Sequence, residues 1–274
     1  MKNFLLVVIL ATVVLFLPRA DAQVSVIGEL SQDRTAKPGE SYSGVIVVRN
    51  DTNESQEAKI YQTDYLFHFS GTNNYGEPGS NQRSNAKWVS YSPAFLTLPP
   101  MGTMAVNYTV TVPKEADAKK MIGTYWSMLM VEGIQKGSAE SSLPRKDSSK
   151  AQMGIMQTIR YGIQIATSIA NTGTRKIDFV GKNLVMQEDG KRILQVDIEN
   201  TGEIGMRPDV YVELFNEQGI SKGKYYGVKS RIYPGTSVRQ SIDLTSVEKG
   251  IYKALVVVDA GGDDVFGAQY TLKF

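Results

Sequence analysis

A cassette that occurs twice constrains the fold more than any other feature of this chain. It consists of a turn built on proline, glycine and threonine, an alternating strand, a polar break and a second, denser apolar run. In the first copy Pro100-Met101-Gly102-Thr103 leads into Val106, Tyr108, Val110 and Val112, which alternate with Asn107, Thr109 and Thr111. A period of two is the signature of a half-buried β-strand. Pro113 ends that strand, a polar connection runs from Lys114 to Lys120, and Gly123-Thr124-Tyr125 opens the run Trp126 to Val131. In the second copy Pro234-Gly235-Thr236 precedes Val238, Ile242 and Leu244, set against Arg239, Ser241 and Asp243. Gly250-Ile251-Tyr252 then opens Ala254 to Val258. Neither copy contains a catalytic signature.

The flanking segments repeat as well. In the first half Val24, Val26 and Leu30 read as a first strand, and Lys37-Pro38-Gly39-Glu40 turns it into a second, Tyr42 to Val48, which Asn50-Asp51-Thr52-Asn53 breaks. The run Ile60 to Phe69 sets Tyr61, Tyr65, Phe67 and Phe69 on one side, a stripe expected to pack in the core. Ser70 to Lys87, rich in Gly, Asn and Ser, reads as a surface insertion, and Trp88, Val89, Tyr91, Phe95, Leu96 and Leu98 lead back to the cassette. In the second half Leu194, Val196 and Ile198 run into Asn200-Thr201-Gly202, and Val210, Val212 and Leu214 are closed by Asn216-Glu217-Gln218-Gly219. A hairpin turn, Asp259 to Asp264, precedes a last strand with Phe266, Ala268, Tyr270, Leu272 and Phe274 on one face, after which no membrane anchor or sorting tail is expected. Short strands, regular turns and no convincing amphipathic helix predict an all-β protein of two tandem immunoglobulin-like β-sandwiches, residues 23–169 and 170–274.

Between the halves, Gln135 to Gln152 is almost devoid of apolar residues and predicts a mobile loop. Met153, Ile155, Ile159, Tyr161, Ile163 and Ile165 then hold one register, interrupted only by Gln157. This predicts one long strand over 153–166, the last of the first domain, with the boundary near Ala170-Asn171-Thr172-Gly173.

The N-terminus reads as an export signal. Lys2 precedes an apolar run from Phe4 to Leu17, short for a membrane span, and Ala20-Asp21-Ala22 supplies a small-x-small cleavage pattern. Residues 1–22 are therefore expected to be removed, with a retained anchor as the alternative. The absence of Cys excludes a thiol-linked lipid anchor and leaves an exported fold that must hold by packing alone. With 30 Lys and Arg against 28 Asp and Glu, nothing suggests a nucleic-acid or membrane-surface binder.

No chemical site stands out. His68, the single His, lies between Phe67 and Phe69 without companions for a metal set and reads as structural. Asp259, Asp263 and Asp264 share one turn whose oxygens could hold Ca²⁺, but the spacing lacks the alternation of a dedicated loop. Asn50, Asn53 and Asn107 begin glycosylation sequons, which matter only in a eukaryotic secretory route. No catalytic residue, metal or cofactor is assigned, and the expectation is a protein that is not an enzyme.

The signal peptide, the paired sandwiches, the loop before a long alternating strand, the run Ser92-Pro93 to Leu98-Pro99-Pro100 and the strand Val106 to Pro113 resemble the periplasmic chaperones of the chaperone/usher pilus pathway. The same features are similar to cell-wall WxL-associated proteins, which also pair two such domains. The chaperone resemblance implies a basic residue on the first strand and another on the last strand of domain one, gripping the carboxylate at the end of a pilus subunit. Arg160 lies on the last strand, whereas the only candidate near the first, Arg34, lies past its end.

The expected function is that of an exported, periplasmic chaperone or assembly factor that binds extended strands of fimbrial or other envelope subunits through the first-domain edge. The partner-binding residues are then Ile155, Ile159, Arg160, Tyr161, Ile163 and Ile165, and the competing reading is that these apolar side chains complete the core. No nucleic acid, and no membrane span after signal cleavage, is involved. The alternative function is a surface scaffold, an adhesion module or a cell-wall-binding module, on the cell surface or secreted, with loops such as Ser70 to Lys87 as contacts.

Overall fold

The computed structural model describes residues 23–114, 121–144 and 158–274. The leader, Met153, Ile155 and residues 145–152 of the expected loop lie outside the described residues. The strands of the first half are β1 (Val24–Ile27), β2 (Ser31–Ala36), β3 (Ser41–Asn50), β4 (Gln56–Phe67) and β5 (Asn73–Gly76). They continue as β6 (Val89–Ser92), β7 (Phe95–Leu98), β8 (Thr103–Thr111), β9 (Thr124–Ile134) and β10 (Arg160–Ile169). The second half holds β11 (Ile177–Met186), β12 (Arg192–Asn200), β13 (Asp209–Phe215) and β14 (Ser221–Tyr226). It ends with β15 (Ser237–Asp243), β16 (Ile251–Asp259) and β17 (Val265–Lys273).

These strands make two immunoglobulin-like sandwiches in tandem. One sheet of the first runs β1-β3-β8-β6, and the facing sheet runs β2-β10-β9-β4-β5 with β7 on β4. The second packs β11-β12-β15 on β14-β13-β16-β17, and no sheet among the described residues combines strands from before and after Ala170. Each sandwich has its own core. Val48, Val106, Leu129, Ile163 and Ile165 are among the fully buried residues of the first. Leu194, Val212, Ile242, Ala254 and Val256 are among those of the second.

The two cassettes fold alike because each is pinned by one buried asparagine. Asn50 donates from Nδ2 to the carbonyls of Glu54 (2.7 Å) and Pro99 (2.8 Å), while its Oδ1 accepts from the Thr52 N–H. Asn200 donates to Ile204 (2.8 Å) and Ile232 (3.2 Å) and accepts from the Gly202 N–H. Their backbones reach the turn of the cassette, Asn50 N–H to the Gly102 carbonyl and Asn200 N–H to that of Thr236. Both side chains are fully buried, where an unpaired amide would be costly, so each fixes the loop after one strand to the turn before another.

Three expectations need correction. The first strand does not run on to Leu30. It stops at Gly28, whose φ of 103° suits glycine, and the chain crosses to the other sheet as β2, which pairs in parallel with β10. β2 and the later β11 and β14 escaped the apolar pattern because their residues are mostly exposed or half-exposed. The aromatic stripe of β4 does not fill the core of the first sandwich. Ala58 and Ile60 point inward, and the pleat turns Tyr61, Tyr65 and Phe67 to the other face, half-buried. There Tyr65 lies 5.2 Å from the Tyr75 ring, and Phe67 meets Tyr233 of the second half edge-on.

The halves touch through that face. Trp126 and Tyr233 stack at 4.5 Å with an interplanar angle of 8°, and the Tyr233 hydroxyl donates to Gln164 Oε1 at 2.9 Å. Burial pushes the Tyr233 phenol well above its ordinary pKa. An Asp33–Arg231 ion pair and a bond from the Thr124 N–H to the Glu203 carbonyl (2.8 Å) extend the contact.

Candidate functional site

The site is the upper part of β10. This strand pairs with β9 along Arg160 to Ser168, but with β2 only from Gln164 onward, where Ser31 stands opposite. The Gln164 N–H reaches the Leu30 carbonyl (2.9 Å), and the Ile169 N–H reaches Gly123 on the β9 side (2.9 Å). Backbone groups alternate in direction along a strand, so Arg160 and Gly162 present N–H and C=O to the β2 side. Among the described residues no strand pairs with them there. Tyr161 and Ile163 point theirs into the β9 ladder.

The strand therefore divides the expected site residues. Ile163 and Ile165 have 0% exposure and sit in the core with Leu129 and Val131, so neither side chain is open to a partner. Tyr161 packs partly buried against the same core, and Ile159 is half-buried just before the strand. Ile155 lies outside the described residues. What the upper part of β10 offers is backbone, flanked by Ile159, Tyr161 and the Arg160 side chain.

Arg160 is not a free cation. Its Nε lies 2.8 Å from Glu132, the residue opposite on β9, which also accepts a bond from the Tyr61 hydroxyl (2.9 Å) and has Lys59 3.7 Å away. Burial pushes the Glu132 carboxyl up, but the bonds from Tyr61 and Arg160 and the charges of Lys59 and Arg160 outweigh it and leave the pKa below its ordinary value. Sequence reading missed this group. Its signal was Glu132 itself, an acid at the end of the run Trp126 to Val131.

Arg34 lies past the end of β1, as expected, and β2 carries it opposite Thr167. Arg160 is seven residues further along β10, about 23 Å at the usual rise per residue, so the structure does not bring the two arginines together as a clamp. Gly162 is constrained by its neighbour on β9: a Cβ there would collide with the Met128 sulfur. Met128 thus covers the sheet face beside the open edge, and a larger residue at 162 would have to push its thioether aside.

The remaining candidates have local partners. His68 Nδ1 is 2.9 Å from the Ser70 hydroxyl, and its ring rests on Phe69. Asp264 pairs with Arg175 (2.7 Å), and Asp259 accepts from the Gly261 N–H. Among the described residues no three His, Cys, Asp or Glu side chains gather as a metal set, and no helix is long and apolar enough to cross a membrane.

No family model matches the chain, and no curated protein does. Several solved structures resemble it. A chain from the chaperone–tip adhesin complex of CFA/I fimbriae biogenesis is 14% identical with a TM-score of 0.47, over 91% of this chain and 98% of that one. The class 5 fimbriae chaperone CfaA is 15% identical with a TM-score of 0.45, over 90% and 98%. A chain from the CsuC–CsuE chaperone–tip adhesion subunit complex of Acinetobacter baumannii is 13% identical with a TM-score of 0.44, over 90% and 98%. The likeness to these chaperones is one of fold.

Proposed function

We propose that this protein is an exported, non-enzymatic chaperone or assembly factor. It holds an extended segment of an envelope or pilus subunit against the first domain, at the stretch of β10 above Gln164. The observation that carries the reading is the end of β2 pairing at that residue. An unpaired strand edge is a liability unless it is covered or used, and an added strand would gain main-chain hydrogen bonds there, with its register read by alternate side chains. Ile159 and Tyr161 would flank the incoming strand at the mouth of the sandwich. Ile163 and Ile165 would hold the strand in place from below, as core residues. Removal of residues 1–22 and a division of the chain at Ala170 to Gly173 belong to the same reading.

The test is amide exchange at single-residue resolution, with an alternating valine–threonine peptide as the probe. In the free protein the Arg160 and Gly162 amides should exchange fast and those of Tyr161 and Ile163 slowly. With peptide bound, Arg160 and Gly162 should become protected. If they are already protected in the free protein, or stay unprotected while the peptide binds, this edge is not the site.

A further inference from the structure

The second domain carries a longer open edge, and its chemistry suits a different occupant. β17 pairs with β16 on one side and, among the described residues, with no strand on the other. The Phe274 N–H reaches the Gly250 carbonyl and the Ala260 N–H reaches that of Asp264, which puts the backbone of the even-numbered residues on the β16 side. Gly267, Gln269, Thr271 and Lys273 therefore turn their N–H and C=O groups to the open side, as Val265 does its carbonyl, while the Val265 N–H is bonded to the Asp263 carbonyl (3.1 Å). Their side chains are exposed on the outer face.

The other edge strands of this sandwich are β11, β14 and β15, and each carries charges, Arg239 and Asp243 on β15. β11 carries Asp178 and Lys182 and a register shift near Gly181. β14 carries Lys222 and Lys224, and Lys222 is the extra residue where its register shifts. β17 has no proline, an unbroken register, and no charged residue from Val265 to Thr271. Its charges stand at the two ends, Asp263 and Asp264 before it and Lys273 at its close.

We propose that two copies of this chain pair antiparallel through β17, about a two-fold axis at Gln269. The direction of the backbone groups allows only odd residues to face odd residues. Gln269 then meets Gln269, Gly267 meets Thr271, and Val265 meets Lys273, in a ladder of about eight backbone hydrogen bonds. A two-fold brings the acidic end of each strand to the basic end of the other. Lys273 lies diagonal to Asp263 of the second copy, within reach of a long side chain. The result is a continuous sheet across two second domains, with both first-domain edges left free.

The chain has no Cys, which makes disulfide trapping a clean test on the whole protein. Residues facing each other at a hydrogen-bonded position of the ladder lie about 5.5 Å apart between Cα atoms, within disulfide range. Gln269→Cys should cross-link into a dimer on mild oxidation. Thr271→Cys, about 13 Å from its own copy, should not. In sedimentation the unmodified protein should show a reversible dimer, which Lys273→Glu weakens by about tenfold, since repulsion appears at two symmetric places. Adding Asp263→Lys to that variant should restore most of the loss. A chain that stays monomeric at millimolar concentration overturns the proposal. So does equal cross-linking at 269 and 271, no cross-linking at 269, or a dimer indifferent to both charge changes.

Discussion

The two sandwiches share a frame and differ in what happens to their first strand. In the first domain that strand breaks at Gly28, and its second part crosses the sandwich to cover the lower half of β10 as β2. In the second domain β11 bulges near Gly181 but stays beside β12 for its whole length, so among the described residues no strand crosses to pair with β17. One small backbone difference thus sets how much of the last strand is open, the upper part in one domain and all of it in the other. The partly covered edge carries the arginine–glutamate group, and the open one is charged only at its ends. That contrast is why the two edges are assigned different occupants.

What the domains share can be broken first. Replacing Asn50 by Ala would remove three side-chain hydrogen bonds, to the carbonyls of Glu54 and Pro99 and from the Thr52 N–H, and Asn200→Ala would remove the matching three in the second domain. At about 1 kcal/mol for each lost partner, each variant should be destabilised by about 3 kcal/mol. Denaturation followed by the Trp88 and Trp126 fluorescence should show the Asn50 loss directly, because both Trp residues lie in the first domain. Far-UV circular dichroism reports both domains and should show the Asn200 loss as well. If one substitution is harmless, the asparagines are not equivalent pins and the duplicated frame is only a likeness of pattern.

The next effect separates core from edge within β10. Ile163→Thr buries a hydroxyl and removes methyl packing at a site with no exposure, at a cost of about 2 kcal/mol. Ile159→Thr acts at a half-buried position and should cost under about 1 kcal/mol while weakening peptide capture. Equal stability losses in the two variants, read from urea midpoints, would place Ile159 in the core and remove it from the client surface.

How much of this was legible beforehand follows from which residues speak through alternation. β8, β12, β13 and β15 were readable because apolar and polar residues follow the pleat, β9 and β16 as dense apolar runs opened by glycine, and the repeated Asn at the end of β3 and β12 marked the same break twice. β2 was not, since Ser31 to Ala36 buries only its last residue and owes its place to pairing with β10. The phase of β4 was misread because four aromatics outweighed Ala58 and Ile60, although the smaller side chains fit between the sheets. For the site, the register of Met153 to Ile165 pointed to a strand over 153–166; β10 spans Arg160–Ile169, Ile159 stands just before it, and 153–157 lie outside the described residues. Which side chains were free depended on where β2 begins, and that is set by Gly28 and the crossing after it, at a distance in sequence.

The smallest expected effect tests the charged group beside the first-domain edge. Glu132 has a folded pKa below its unfolded value, so its contribution to stability is present in full above the unfolded value of about 4.3. It is lost as pH falls from there through the folded pKa. Glu132→Gln abolishes this titration. The variant should be less stable than the parent at neutral pH by under about 1 kcal/mol, as for a partly solvated ion pair, and the two stability curves should converge as pH drops below about 4. Added salt should narrow the neutral-pH gap by screening Arg160 and Lys59. On β17, by contrast, Gln269→Glu should weaken self-pairing at the axis. A parent and Glu132→Gln variant with parallel pH profiles would mean that Arg160 is not held by Glu132 in solution, and its guanidinium would then be free to meet a client carboxylate directly.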